Sequence, residues 1–355
     1  MTTPYASEPF LHQLLGKALA AGCSDVHLKV GQPPGGRVRD DLVFFRVEKI
    51  RAEDTDATLR ILLGAAASPQ TPGTPLPTSL DIVFAYDAPG LGRFRVAAYR
   101  ARGSVSLVMR SIPPKIPTLA ELGLPAAATA LIEQERGIVV IAGGSGAGKS
   151  TTAAALLGHI NESYPRHILT LEDPVEHVHE DARGSVSQRA IGVDVSSLVA
   201  GLRGAHVQDP DVVFVSDLRS AEALEGVLEL AELGHLVLVT VASPDAARAV
   251  ARLLGLGRGL PDFAGRFSAA LHGVLAQKLL SKRDGTGLVL ACEVLVATAS
   301  VREALRGGSS EQGDVAAALR WQMEKGATPY GMQTFEMHAR QLSVQGLLSK
   351  AVVPA

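Results

Sequence analysis

The chain has 355 residues, enough for two domains of about 150 residues each. Apolar residues make up 46% and charged residues 20%, a balance typical of a globular protein and not of a disordered chain. The formal net charge of −2 excludes a strongly basic surface, so we expect no nucleic-acid binding and no attraction to anionic membranes through overall charge.

Membrane insertion and secretion are not expected from the apolar pattern. No apolar run reaches the roughly 20 residues that cross a bilayer, and residues 1–10 lack a basic segment followed by an apolar block. The two cysteines, Cys23 and Cys292, are too few for a disulfide framework or a four-cysteine zinc site. We therefore expect buried thiols in a cytoplasmic protein.

The N-terminal third mixes helical and strand patterns. These patterns predict a small α+β domain over residues 1–112, with a surface loop rich in Pro, Thr, Ala and Ser at 65–79. The expected elements are a helix at Phe10–Ala21 and strands near Val26–Val30, Leu42–Val47 and Ile82–Tyr86. The proline-rich stretch that follows predicts an extended linker over 113–118.

Residues 119–355 alternate β-branched apolar runs with helical patterns, and this predicts an α/β domain. Because the runs are continuously apolar, we expect a parallel sheet covered on both faces. The runs are Gly137–Ala142, His167–Leu171, Val212–Val215 and Leu236–Val241, and the helical stretches between them are Thr151–Ile160, Ser196–Gly204 and Ala221–Leu233. A further apolar run at 289–296 precedes helix-like segments near 301–306, 315–324 and 332–343.

A glycine-rich motif lies between the first of these strands and the next helix. Residues 143–150 read GGSGAGKS and match G-x-x-x-x-G-K-[ST]. Glycines let successive N–H groups converge on a phosphate, and the following helix adds its positive end. Lys149 and Ser150 are the types that contact the β- and γ-phosphates and Mg²⁺. The motif predicts ATP and Mg²⁺ as cofactors, bound by Gly143, Ser145, Gly146, Ala147, Gly148, Lys149, Ser150 and Thr151.

Two acidic positions follow the ends of predicted strands. Asp217 comes shortly after 212–215, and Glu172 comes directly after 167–171. Since α/β sheets bind ligands at the carboxyl ends of their strands, we expect both carboxylates near the metal, together with the Ser150 hydroxyl. A helix cap at Asp217 and a charged turn at 172–176 are the ordinary alternatives.

A local concentration of positive charge lies between residues 88 and 115. This stretch has six basic residues and no acidic ones, and could meet nucleotide phosphates as an arginine finger does. A solvated face is the ordinary alternative. A nucleic-acid surface is disfavoured, because only Phe94 and Tyr99 offer stacking there.

Short segments along almost the whole chain, from about Ser24 to near Lys350, resemble the type II/IV secretion ATPases and, within them, the pilus retraction branch. The matching segments are 24–28 (SDVHL), 92–96 (GRFRV), 109–113 (MRSIP), the aspartate box at 167–180, 187–189 (SQR), the Walker B segment at 209–219, the histidine box at 232–240 and 331–335 (GMQTF). Their shared order along the chain makes the resemblance more specific than any one motif.

The resemblance implies a PAS-like first domain and a RecA-like P-loop ATPase domain, assembled as a homohexamer. ATP would lie between the domains, with Arg95 and Arg110 contributing from the first domain. Glu172 would order the water around the metal, Asp217 would act as the base or position the water, and His235 would sense the nucleotide state. The implied function is ATP-driven pilus retraction, peripheral to the inner membrane through a platform protein and alongside other pilus ATPases.

Three departures from the family pattern bear on the rate of hydrolysis. The family usually has Gly-Glu where this chain has Ser216-Asp217, and a second histidine where it has Ala242. Residues 206–211 also lack a basic and an acidic residue of the family pattern. These departures keep open an ATP-binding paralogue that hydrolyses little and acts as a regulator or ring subunit.

Two further functions remain as alternatives. A pilus assembly or type II secretion ATPase is disfavoured because such relatives commonly carry a four-cysteine zinc motif, and this chain has two cysteines. A small-molecule P-loop kinase would leave the first domain and its arginines unexplained.

Overall fold

The computed structural model describes residues 3–39, 41–45, 47–66, 76–307 and 315–349. The chain divides into two compact units. The first runs to Lys115 and also includes Asp173–His177, and the second takes Ile116–Glu172 and the chain from Val178 onward. The predicted linker at 113–118 contains the division point. Part of the predicted surface loop, residues 67–75, lies outside the described residues.

In its described residues, the first unit is an antiparallel sheet with two α-helices and a short 3-10 helix at Pro4–Ala6. Its elements are α1 (Glu8–Ala20), β1 (Asp25–Lys29), β2 (Gly35–Val38), β3 (Asp41–Phe44), α2 (Ala52–Ala66), β4 (Asp81–Ala88), β5 (Gly92–Ala101) and β6 (Ser104–Ile112). In the described residues the strand order is β3-β2-β1-β6-β5-β4. The expected helix and three strands are present. The sequence did not predict α2, whose first turn is acidic, or β2, which begins with two glycines.

The core of the first unit is built from residues at helical and strand spacing. Leu11 and Leu15 of α1 are four residues apart and fully buried, and Leu59 and Leu62 of α2 are three apart and equally buried. They pack in one cluster with alternate residues of the sheet, among them Phe94.

The second unit is a mixed sheet with helices on both faces. Its strands are β7 (Gly137–Gly143), β8 (His167–Glu172), β9 (Ser185–Ala190), β10 (Val212–Val215), β11 (Leu236–Ala242), β12 (Leu271–Ser281) and β13 (Leu288–Val296). Its helices are α3 (Leu119–Leu122), α4 (Ala126–Ile132), α5 (Lys149–Ser163), α6 (Leu198–Ala205), α7 (Ala221–Glu232), α8 (Ala246–Leu256), α9 (Phe263–Ala270), α10 (Ala299–Gly307), α11 (Val315–Lys325), α12 (Ala327–Tyr330) and α13 (Phe335–Val344). Over the described residues the strand order is β13-β12-β7-β11-β10-β8-β9.

The sheet is covered on both faces, as predicted. Ile138 and Val140 of β7 belong to one apolar cluster, and Val139 and Ile141 belong to another. Every neighbouring pair of strands is parallel except β12 with β13. The sequence did not predict β9, which is mostly polar, or β12, whose apolar run is interrupted by polar residues and a glycine.

The parallel register brings the ends of four strands to one edge. Gly143 of β7 lies opposite Ala242 of β11, and Val215 of β10 lies opposite Leu171 of β8. Loops that follow these strands therefore meet at the carboxyl edge, where α/β sheets bind ligands.

Both cysteines are core residues, as expected. Cys23 and Cys292 are buried and free. Burial raises the pKa of the Cys292 thiol to about 12, so it behaves as a core residue. Within the part of the chain that the structure describes, no helix is both long enough and apolar enough to cross a membrane.

Candidate functional site

The loop at 143–148 joins β7 to α5 in a conformation that requires glycine. Gly146 and Gly148 have φ values of +73° and +86°, in the left-handed region. Gly148 is also the N-cap of α5, and it supplies no side-chain hydrogen bond to the helix start. A helix that begins without a side-chain cap presents backbone N–H groups and a positive dipole end, which together favour an anion.

One side of the loop is packed and the other is open. A Cβ on Gly143 would lie 2.9 Å from the Ala147 Cβ and 2.9 Å from the Gln277 carbonyl oxygen, so this position accepts only glycine. A Cβ on Gly144 or Gly146 would meet no atom within 4 Å. The exposed loop tip thus leaves room for a phosphate group beside the helix start, and the residues present fit a nucleotide.

The Lys149 ammonium forms hydrogen bonds with the loop that precedes it. Its Nζ donates to the carbonyl oxygens of Gly143 and Gly144, at 2.9 and 2.8 Å. A phosphate oxygen is a stronger acceptor for an ammonium than a neutral carbonyl. Lys149 is therefore placed at the head of α5 with hydrogen bonds that a phosphate can replace.

Glu172 ends β8, and its carboxylate has a fixed orientation. The residue is 8% exposed, and its Oε1 accepts hydrogen bonds from Thr170 Oγ1 at 2.8 Å and Gln188 Nε2 at 3.1 Å. Gln188 in turn accepts from the His179 N–H through Oε1 at 2.8 Å. Thr170 and Gln188 are neutral donors, and these two hydrogen bonds stabilise the charge of the carboxylate.

Asp217 follows β10 in a left-handed conformation, with φ +54°. Its N–H donates to Thr240 Oγ1 of β11 at 2.7 Å, which fixes the backbone. Its carboxylate is 41% exposed and accepts a hydrogen bond from the more exposed Arg219. Exposed ion pairs contribute little free energy, so Asp217 can exchange Arg219 for another partner.

The predicted phosphate and metal residues lie at one edge of one sheet. Since neighbouring strands are about 4.8 Å apart, Asp217 follows a strand about 10 Å from β7 and Glu172 a strand about 14 Å from it. Among the described residues, no group of three or more His, Cys, Asp or Glu could hold a metal.

His235 does not join this cluster. It precedes β11, and the next residue, Leu236, pairs with Gly137 at the amino edge of the sheet. Gly143 lies six residues further along β7, about 20 Å away. His235 Nδ1 instead lies 2.7 Å from the Pro210 carbonyl oxygen. The sensing role of His235 therefore stays a prediction, and the residue of β11 that lies opposite Gly143 is Ala242.

Arg95 and Arg110 both have carboxylate partners within the first unit. They are opposite each other on β5 and β6. Arg95 forms an ion pair with Glu176, which belongs to the segment Asp173–His177. Arg110 Nε donates to Asp25 Oδ1 at 2.8 Å. Their contribution to nucleotide binding stays a prediction.

The Asp25 carboxylate is the buried member of its ion pair. Burial alone would raise the pKa of Asp25, but hydrogen bonds from Arg110 and Ser24 outweigh it and hold this pKa below the ordinary value of 3.8. A carboxyl whose pKa is lowered on folding stabilises the fold above its unfolded pKa, and this contribution is lost as the pH falls through the folded value.

Comparison with known proteins decides the family. Residues 5–316 match the family model T2SSE, described as type II/IV secretion system protein. The chain belongs to this family. It is 32% identical over 340 residues to the type IV pilus retraction ATPase PilT of Pseudomonas aeruginosa, with 95% of each chain covered. The type IV pilus ATPase PilU of the same organism is 33% identical over 340 residues, covering 94% of this chain and 85% of PilU.

A solved structure within the family has the same architecture. The crystal structure of the pilus retraction motor PilT with bound ADP superposes with a TM-score of 0.80 at 30% identity, covering 96% of this chain and 95% of that one. The resemblance to the secretion ATPases and the α/β fold with a PilT-like structure are thereby confirmed, and ADP in this relative supports nucleotide binding by the family.

The sequence did not assign a role to four polar residues that contact the site. Thr170 and Gln188 contact Glu172, Thr240 contacts the Asp217 backbone, and Gln277 contacts the loop itself. Gln277 and Lys278 are the two polar residues in the stretch 274–280, which is otherwise apolar. The partner of Gln277 could not be read from the sequence, since the two are 130 residues apart.

Replacing Arg110 by glutamine tests whether its ion pair with Asp25 stabilises the folded protein. We expect Arg110→Gln to lower the free energy of unfolding by about 1–2 kcal/mol at pH 7, because it leaves the buried Asp25 carboxylate without its cation. The loss should shrink as the pH falls into the acid range, because burial raises the pKa of the Asp25 carboxyl once its cation is gone, and protonation then removes the uncompensated charge.

Urea denaturation at a series of pH values measures this difference. The exposed Arg60, replaced by glutamine in the same way, serves as the control and should change the unfolding free energy by less than 0.5 kcal/mol, about the usual limit for surface sites. A loss for Arg110→Gln that stays the same down to pH 3 would contradict the ion-pair assignment.

Proposed function

We propose that this chain is an ATP-hydrolysing motor subunit of the type IV pilus retraction class. The observation that carries the proposal is the uncapped start of α5 with Lys149 folded over the loop, at the same sheet edge as Glu172 and Asp217. Membership of the type II/IV secretion family and 32% identity to PilT over 95% of the chain support it.

The proposed roles follow from position. Backbone N–H groups of residues 143–151 bind the phosphates, and the Lys149 ammonium neutralises the charge that develops on the leaving phosphate. Asp217 orients the attacking water and accepts its proton. The Glu172 carboxylate, which Thr170 and Gln188 hold by hydrogen bonds, orders water molecules close to itself. Ser150, Glu172 and Asp217 would hold Mg²⁺, which when bound supplies further positive charge to the phosphates.

Assembly and location follow from the family resemblance. We propose a homohexameric ring at the cytoplasmic face of the inner membrane, acting on a platform protein of the pilus. The relative named as the pilus retraction motor supports this assignment. We also propose that the first unit is PAS-like, which is consistent with its antiparallel sheet and accompanying helices.

A weakly hydrolysing paralogue is the second candidate. It is favoured by the shorter carboxylate at Asp217, which Arg219 occupies, and by Ala242 at the edge beside Gly143. A misplacement of about 1 Å in a catalytic group can lower the rate on the order of a hundredfold.

Removing the loop ammonium tests the nucleotide site. We expect Lys149→Ala to weaken Mg-ATP and Mg-ADP binding by about tenfold to a hundredfold, because a charged hydrogen bond to phosphate is lost. Isothermal calorimetry measures the affinity, with Lys325→Ala as the matched control that removes an ammonium elsewhere. Equal affinity of Lys149→Ala and the unmodified chain would exclude this site.

Changing Asp217 separates the two candidate functions. We expect Asp217→Ala to lower kcat by about a hundredfold while ADP affinity stays near that of the unmodified chain. Steady-state phosphate release at saturating Mg-ATP gives kcat. Asp217→Glu should retain turnover within a few-fold. A rise above tenfold in Asp217→Glu would instead favour the weakly hydrolysing paralogue.

A further inference from the structure

Gln277 joins the phosphate loop to the sheet on the side away from the exposed loop tip. It lies on β12, opposite Gly143 of β7 on one side and Cys292 of β13 on the other. Its side chain is buried, with 1% exposure. Nε2 donates to the Ala147 carbonyl oxygen at 2.7 Å, and both atoms are buried.

The glycine after Ala147 permits this contact. A Cβ on Gly148 would lie 3.2 Å from Gln277 Nε2, tighter than most real contacts. Gly148 therefore serves two purposes, since it adopts the left-handed conformation and leaves room for the Gln277 amide.

Holding the Ala147 carbonyl also orients the next N–H group. The Ala147–Gly148 peptide is trans. In a trans peptide, the carbonyl of one residue and the N–H of the next point in opposite directions. With the Ala147 carbonyl directed at β12, the Gly148 N–H is directed away from β12.

The other atom of the amide group has no partner. Gln277 Oε1 is buried and accepts no hydrogen bond from the described residues. The assignment of the two amide atoms is fixed by chemistry, because only nitrogen can donate to the Ala147 carbonyl. A residue chosen for stability alone would not bury an unsatisfied oxygen, since that costs free energy.

We propose that Gln277 is a positioning residue for nucleotide binding: its amide holds the Ala147 carbonyl so that the Gly148 N–H is aimed at the phosphate. This inference rests on the proposed function. Without the Gln277 amide, the 147–148 peptide can turn, and only a fraction of molecules presents the N–H group correctly. The apparent affinity falls by that fraction.

The chain offers a matched control in Gln333. This residue is also buried, and its Nε2 donates to the Cys292 carbonyl oxygen at 3.0 Å. It pairs with Val294 of β13 in an isolated bridge, on the side of β13 away from β12. Its hydrogen bond is therefore equivalent in kind to that of Gln277, but it does not involve the phosphate loop.

The experiment compares Gln277→Met and Gln333→Met in the full-length chain. Calorimetry with Mg-ADP gives the affinity, and thermal unfolding without nucleotide gives Tm. We expect Gln277→Met to bind Mg-ADP about tenfold more weakly, with Tm near that of the unmodified chain, because removing the unsatisfied oxygen offsets leaving the buried Ala147 carbonyl without a donor. Gln333→Met should lower Tm and leave the affinity unchanged.

A third variant removes the donor without changing the shape. Gln277→Glu faces the Ala147 carbonyl with an ionised oxygen at pH 8, and binding should be weaker than in Gln277→Met. Towards pH 5 the carboxyl becomes protonated and donates its O–H, so the affinity should recover. Gln277→Met has no such group, so the ratio of its affinity to that of the unmodified chain should not vary with pH.

Several results would overturn the inference. Unchanged affinity in Gln277→Met, or an equal loss in Gln333→Met, assigns Gln277 to packing alone. If Gln277→Met does not fold, the Gln277→Glu variant decides. An affinity of this variant that does not recover at low pH also assigns Gln277 to packing alone. An unmodified chain that fails to bind Mg-ADP refutes the proposed function, and the inference with it. Binding that Lys149→Ala weakens but Gln277→Met does not refutes the inference alone.

Discussion

The start of α5 is the physical centre of this protein. A helix of 15 residues begins at Gly148 without a side-chain cap, at the edge of the sheet where parallel strands end. Its first backbone N–H groups and its dipole favour a negative charge, and the adjacent Lys149 ammonium adds a full positive charge. Glu172 and Asp217 follow strands that end at the same edge of the sheet.

The loop has two sides with different chemistry. Towards β12, Gln277 and the bare glycine at 143 fix the backbone through close packing and one buried hydrogen bond. At its tip, Gly144 and Gly146 leave room. A loop backbone that is held in place before a ligand arrives lowers the entropic cost of binding.

Local patterns could be predicted from the sequence, whereas contacts between distant residues could not. Continuous β-branched runs predicted β7, β8, β10 and β11, and the glycine motif predicted the loop. The partners of Arg95 and Arg110 lie 81 and 85 residues away, so no spacing rule indicates them. His235 was assigned by its motif alone. The strand direction, which only the fold shows, places it at the opposite edge.

Hydrogen–deuterium exchange with and without Mg-ADP locates the nucleotide on the chain. Bound nucleotide should slow exchange in peptides covering residues 144–151. Peptides at the amino edge, around residues 234–238, should be unaffected. No protection in 144–151, or equal protection at both edges, would contradict a nucleotide site at the head of α5.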